Sequence, residues 1–258
     1  MLFWLGTHMT AWLGQTDVPL FVSARRLRQR VSLPVARGPW ALDSGGFSEL
    51  SLFGRWQTLA TQYAAEVRRW RDSIGRLEWA APQDWMCEPE MLRKTGLSVE
   101  DHQRRTVVSV LELRSLAPDL PWAAVVQGWD ASDYPRHVEM YARAGIDLTQ
   151  EPIIGVGTMC RRQAMPEAGV ALRTLKRMGL RLHAFGFKLT GLRLWHHLLD
   201  SSDSLAWSYR ARRSPPLPGH THRSCANCLP FALRWRGEVL ATLQPPAQLG
   251  WHEVFDAA

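Results

Sequence analysis

The sequence predicts an α/β protein: a (β/α)8 TIM-type barrel, partly irregular, followed by a small cysteine-bearing C-terminal element. Three observations lead there. Eight short apolar segments recur along the chain with helical stretches between most of them, which implies parallel strands joined by helical crossovers. The length, 258 residues, matches the about 250 residues that such a barrel needs. Polar residues follow the apolar segments, at the end of each strand where a barrel gathers its functional groups. An open doubly wound sheet is the alternative, but no G-x-G-x-x-G opens a helix after a strand.

In chain order the expected strands are 2–5, 19–22, 40–42, 77–81, 122–126, 153–157, 182–187 and 204–207. The helices between them read from periodicity and caps. Trp56, Leu59, Tyr63, Val67, Trp70 and Ile74 recur every three or four residues, with arginines on the other face. Ser98 is an N-cap residue opening a helix to 113. A third helix runs 134–144 up to Gly145, and a fourth starts at Pro166 and reaches 178, with Gly179 as its C-cap. A fifth covers 192–199. The Pro-rich stretch 214–219 divides a barrel, 1–213, from a C-terminal element, 214–258, packed on it.

The formal net charge is +7, and among the 31 basic residues only Lys94, Lys176 and Lys188 are lysines. Arginine is the better bidentate phosphate ligand, so a nucleic-acid partner fits, although a GC-rich genome gives the same bias. No apolar run of about 18 residues exists, so no membrane partner is expected. The N-terminal segment lacks the basic start of a signal peptide, which places the protein in a cytoplasm, the host's if the gene is a phage one. Of four cysteines, Cys87 and Cys160 are isolated and read as small buried hydrophobes.

The stretch Trp40-Ala41-Leu42-Asp43-Ser44-Gly45-Gly46-Phe47 carries the strongest chemical signal. It delivers a carboxylate at a strand end, two glycines that let a flat ligand approach the backbone, and an aromatic ring that can stack on it. Its bland reading is a Gly-Gly turn beside a solvated Asp. Asp84, Gln127, Gly128 and Thr158 follow other strands, and Asp203 is placed at the entry of the last one. Three carboxylates, Asp43, Asp84 and Asp203, suit acid–base and nucleophilic work on a glycosidic bond. For each of them taken alone, a helix or loop cap is the competing role.

Asp43-Ser44-Gly45-Gly46-Phe47 resembles the D-S-G-G-F motif of the tRNA-guanine transglycosylase family, and Val126-Gln127-Gly128 resembles that family's V-Q-G strand end. Gly155-Val156-Gly157 is similar to its Gly-rich base-binding loop, and Asp203 falls where the family keeps its nucleophile. The resemblance implies base exchange. Asp203 attacks C1′ and expels guanine, and Asp43 is the general acid/base. Ser44, Gly45, Phe47, Asp84, Gln127, Gly128 and Gly157 hold the base. The short, arginine-rich chain looks most like the phage and bacterial branch that inserts 7-deazaguanine into DNA. Thr158-Met159-Cys160-Arg161 lacks the Glu of the queuosine-type enzymes, which points to the cyano base preQ0. On this reading Arg161, Arg210, Arg212 and Arg213 contact the nucleic acid; a homodimer stays open.

The tail Gly219-His220-Thr221-His222-Arg223-Ser224-Cys225-Ala226-Asn227-Cys228 is dense in metal ligands. A structural zinc held by Cys225, Cys228, His222 or His220, and His252 is expected. Trp85, Trp129 and Trp207 lie near strand ends where they can stack or wedge. Competing readings are the same exchange in tRNA, a catalytically inactive nucleic-acid-binding barrel, and a hydrolase of small nucleosides.

Overall fold

Alternation within the short strands sorts side chains to two faces of a buried parallel sheet. In this computed structural model, which describes residues 1–243, the strands are β1 (Leu2–Thr7), β2 (Leu20–Ser23), β3 (Trp40–Asp43), β4 (Leu77–Ala80), β5 (Ala124–Val126), β6 (Ile154–Val156), β7 (Leu182–Ala184) and β8 (Ser201–Ser204). All pair in parallel in the order β4-β3-β2-β1-β8-β7-β6-β5. The sheet curls until its edge strands meet at one bridge, Ala80 with Trp122. There the Ala80 amide donates to the Pro121 carbonyl at 2.9 Å and the Ala123 amide to the Ala80 carbonyl at 3.0 Å. Pro82 and Pro121 flank this bridge and have no N–H to extend the ladder. The fold is therefore a TIM-like α/β architecture whose closing seam is a bridge instead of a full strand pair.

The helices are α1 (Ala24–Arg28), α2 (Gly46–Phe53), α3 (Ala60–Ile74), α4 (Pro89–Thr95), α5 (Val99–Leu116), α6 (Asp133–Arg143), α7 (Pro166–Arg177), α8 (Leu189–Trp195), α9 (Ala206–Ala211) and α10 (Leu229–Leu243). Ser98 and Asp101 form a reciprocal capping box at the start of α5. Phe3, Leu5, Val22 and Leu42 face outward into the core shared with Val67, Trp70 and Val110. Trp4, Phe21, Ala41 and Trp79 face inward and fill the barrel interior.

Three expectations need correction. The last strand is β8, Ser201–Ser204, not 204–207, and Asp203 lies within it instead of leading into it. Every residue of β8 is buried although all are polar, because partners exist inside: the Ser202 hydroxyl donates to the Ala184 carbonyl at 2.8 Å. The apolar Leu205-Ala206-Trp207 that mimicked a strand instead opens α9, where Trp207 is fully buried and donates to the Gly6 carbonyl at 2.8 Å. Secondly, α3 begins at Ala60. Trp56 is spent elsewhere, its indole N–H on the Asp84 carbonyl at 3.3 Å. Thirdly, 192–199 divides into α8, which starts earlier, and a 3-10 turn at His196–Leu198.

Past the Pro-rich linker, α10 lies against β1, α8 and α9. Its Trp235 ring sits 5.9 Å from Phe3, and Arg236 donates to the Phe3 carbonyl at 3.3 Å. No helix among the described residues is long and apolar enough to cross a membrane.

Candidate active site

Asp43 ends β3, and the chain must turn at once into α2. Gly45 makes that turn with φ +80°, a conformation natural to glycine. Its amide donates back to Asp43 Oδ1 at 3.1 Å. The Ser44 hydroxyl accepts from the Gly46 amide at 3.3 Å and donates to Asp84 Oδ1 at 3.2 Å. Gln127, at the end of β5, donates through Nε2 to Asp84 Oδ2 at 2.6 Å, and its Oε1 accepts from the Thr158 hydroxyl at 2.6 Å. Gly157 is required by this chain: a Cβ there would stand 2.3 Å from Gln127 Nε2. Thr158 has φ +57°, a strained setting for a β-branched residue. The strain is held by its hydroxyl, which also accepts the Cys87 amide at 2.8 Å.

Asp203 stands across from this chain. Its Oδ1 accepts the Gly186 amide at 2.8 Å and lies 3.3 Å from His183 Nε2. Both contacts fall on Oδ1, leaving Oδ2 without a hydrogen-bond partner among the described residues. Asp43, Asp84 and Asp203 line one cavity of about 280 Å³ with Gln127, Gly157 and Thr158. Phe47 stands at its rim, 42% exposed.

Burial in this apolar-walled space raises the proton affinity of Asp43 and Asp84. Burial, and then the charge of Asp43, push Asp84 up to about 7 against the pull of the Gln127 and Ser44 hydrogen bonds. Asp43 is raised by burial and by the charge of Asp203, opposed by the Gly45 amide and the Ser23 hydroxyl. Glu88, a further acid of the cavity wall, is raised chiefly by burial.

Several expected residues sit apart from the cavity. Gly128 packs the start of α6, where a Cβ would come within 2.7 Å of Asp133 Cβ. Arg210 pairs with Glu238, Arg212 bonds Ser208, and the Arg213 guanidinium stacks 3.4 Å from the Tyr209 ring centre. Arg161 pairs with Glu90 and lies 5.3 Å over the Phe47 ring. Trp85 and Trp207 are buried, so wedging falls to neither; Trp129 is half-buried beneath Arg162. Cys160 lines the cavity, only partly buried.

Sequence reasoning overlooked Glu88 and His183. Nothing local marks Glu88 as a cavity residue, because it directly precedes Pro89, the first residue of α4, and reads as a helix-end residue. His183 did carry a signal: a polar residue amid an apolar strand, on the same face as Phe185.

The C-terminal cluster brings together four ligand atoms from His220, His222, Cys225 and Cys228, all within 4.8 Å of one another. His222 Nε2 is 3.0 Å from Cys225 Sγ, and His220 Nδ1 is 3.6 Å from Cys228 Sγ. The Leu217 amide points at Cys225 Sγ from 3.4 Å, the donor a thiolate needs. Two thiols and two imidazoles at this spacing can hold a metal ion. Both histidines join the set among the described residues; His252, also expected as a ligand, lies outside the described residues. The cluster is tied to α9 by the Ser208 hydroxyl on the Ala226 carbonyl at 3.0 Å.

A parallel α/β barrel whose strand ends gather carboxylates around one small cavity has the architecture of an enzyme site. The family model of DpdA, DeoxyPurine in DNA protein A, matches residues 1–251, and the chain belongs to that family, the tRNA-guanine transglycosylase-like DNA 7-deazaguanine transglycosylases. Membership makes it a transglycosylase-type enzyme of DNA modification. No curated protein matches the chain.

Proposed function

We propose that the protein exchanges guanine in DNA for a 7-deazaguanine such as preQ0 through a covalent intermediate on Asp203. Oδ2 of Asp203 attacks C1′ of the deoxyguanosine as the C1′–N9 bond breaks. The bond's electron pair goes to N9, which takes a proton from the Asp43 carboxyl. The incoming base then gives its N9 proton to Asp43, and N9 attacks C1′ to release Asp203. Two inversions return the sugar to its original configuration. The guanine must leave the duplex stack before Asp203 reaches C1′.

Asp84, held by Ser44 and Gln127, reads the polar edge of the base. Gly45 and Gly157 let the ring approach the backbone, and Phe47 stacks on it. Arg161 lies beside Phe47 and contacts the flanking phosphates, with Arg210, Arg212 and Arg213 further along the strand. Gly128 acts through packing. A structural zinc on His220, His222, Cys225 and Cys228 anchors α9, directly after the nucleophile's strand.

The observation that carries this reading is that Asp43 and Asp203, far apart in sequence, line one cavity with Oδ2 of Asp203 free of protein partners among the described residues. The test is incubation with guanine-containing DNA and labelled preQ0. Label should enter DNA with wild type, and a denaturation-resistant protein–DNA adduct should form. Asp203→Ala should abolish both, and label entering tRNA instead would move the substrate to RNA.

A further inference from the structure

His183 is completely buried on β7, and its backbone partner across the ladder is Ser201 of β8. Ser201 and Asp203 are two residues apart on one strand and therefore face the same side. His183 stands between them: Nδ1 is 2.8 Å from Ser201 Oγ, and Nε2 is 3.3 Å from Asp203 Oδ1. That Nε2 contact is not aligned as a hydrogen bond, and the atom has no other partner among the described residues. Trp79, Phe185 and Phe21 enclose the imidazole, with ring centres at 4.7, 4.9 and 5.5 Å. A buried imidazole nitrogen boxed in by aromatic rings, 3.3 Å from one carboxylate oxygen and with no other partner among the described residues, is placed to act on that carboxylate.

We propose that His183 is the positioning residue of Asp203, holding Oδ1 so that Oδ2 faces the sugar and then making Asp203 the better leaving group in the second half of the exchange. With the Ser201 hydroxyl donating to Nδ1, the tautomer carries its hydrogen on Nε2. A hydrogen bond to a carboxylate is stronger than one to a neutral ester carbonyl. In the glycosyl-enzyme Oδ1 is the ester carbonyl, and it regains its charge as the C1′–Oδ2 bond breaks and the electron pair returns to Asp203. The imidazole N–H thus assists discharge of the adduct more than its formation. No proton is transferred in this role; His183 acts through Asp203. The inference rests on the reading of Asp203 as nucleophile.

Single-turnover experiments on the full chain test it, with adduct formation on DNA followed separately from discharge by added preQ0. His183→Asn keeps a group at the Nδ1 position to meet Ser201 but cannot reach Asp203. His183→Gln places an amide N–H near the lost Nε2–H. We expect His183→Asn to slow discharge about ten-fold more than formation, so that adduct accumulates, and His183→Gln to restore discharge. Equal rates for both variants and wild type, or equal slowing of both steps in both variants, overturn the role of His183. If wild type forms no adduct, or Asp203→Ala still forms one, the reading of Asp203 itself is lost, an outcome separate from the first. Melting curves of both variants identify misfolding, and a folded His183→Gln that fails to restore discharge also counts against the proposal.

Discussion

Asp84 is the group whose removal should stabilise the protein in a pH-dependent way. Its carboxyl is raised from 3.8 to about 7 in the folded chain, first by burial and then by the charge of Asp43. A carboxyl with higher proton affinity in the folded than in the unfolded state weakens folding once it ionises. The penalty is absent below the unfolded value of 3.8, grows as pH rises, and is complete above about 7. At about 1.4 kcal/mol per pH unit the displacement bounds the cost at about 4 kcal/mol. Water entering the cavity and relaxation around it reduce that, and about 1–2 kcal/mol is expected to survive. Asp84→Asn removes the charge and keeps the shape. Its carbonyl oxygen accepts from Gln127 Nε2, and its amide donates to the Ser44 hydroxyl. The variant should therefore melt with wild type near pH 4 and about 2–8 °C above it at pH 8, while losing base exchange. Calorimetric melts at pH 4, 5.5, 7 and 8 measure the gap. A gap independent of pH, or a variant less stable than wild type at pH 8, would refute the reasoning, since either means that Asp84 is not held in an environment that resists its charge.

Gly157→Ala should fold yet lose activity, by about 100-fold, because its Cβ would displace the Gln127 amide from Asp84; steady-state exchange assays and a melting curve separate the two effects. Phe47→Ala should weaken capture of the base by about ten-fold with little change in stability, the size of one lost stacking contact at an exposed ring, read as a rise in KM for preQ0. Cys225→Ser should abolish metal content measured by plasma mass spectrometry and lower the melting temperature, and chelation of wild type should reproduce the loss.

The strand ends were legible because their signals are local. A carboxylate after a short apolar run followed by two glycines is a pattern that backbone geometry explains, and Asp43, Asp84 and Gln127 converge as their strand-end positions predict. The N-cap at Ser98 and the start of α7 at Pro166 were readable for the same reason. What hid was non-local. β8 reads as polar, and only its partners across the sheet make four polar residues a buried strand. Glu88 enters the cavity wall because Thr158, far along the chain, turns with positive φ beside it, and no window of sequence contains both. Of the metal ligands, the C-x-x-C was plain. Choosing His220 as well as His222 depended on the loop folding both imidazoles onto one point.

The raised acids also constrain how the proposed exchange handles protons. One neutral purine leaves and another neutral purine enters, so no net proton is consumed. Within each cycle, however, the departing N9 needs a proton and the arriving N9 must lose one. A carboxyl of ordinary acidity in water would be ionised at neutral pH and could only accept. Burial first, and to a smaller extent the charge of Asp203, raise the proton affinity of Asp43, which favours the acid form that a departing base needs. In the proposed exchange, attack by Asp203 would remove its negative charge, a contribution to the raised affinity of Asp43 that is smaller than burial. Forming the covalent bond thereby makes Asp43 more willing to release its proton at the moment the leaving base requires it. Discharge restores the charge on Asp203 and draws a proton back to Asp43 from the incoming base. In the proposed exchange, the electrostatic coupling of these two carboxylates would tie the proton's direction to the state of the glycosidic bond. Replacing Asp203 with a neutral residue should accordingly lower the proton affinity of Asp43 along with removing the nucleophile. Carbon-13 NMR titration of labelled aspartates in Asp203→Asn, compared with wild type, measures that drop; an Asp43 carboxyl that titrates identically in the two proteins breaks the coupling on which this timing depends.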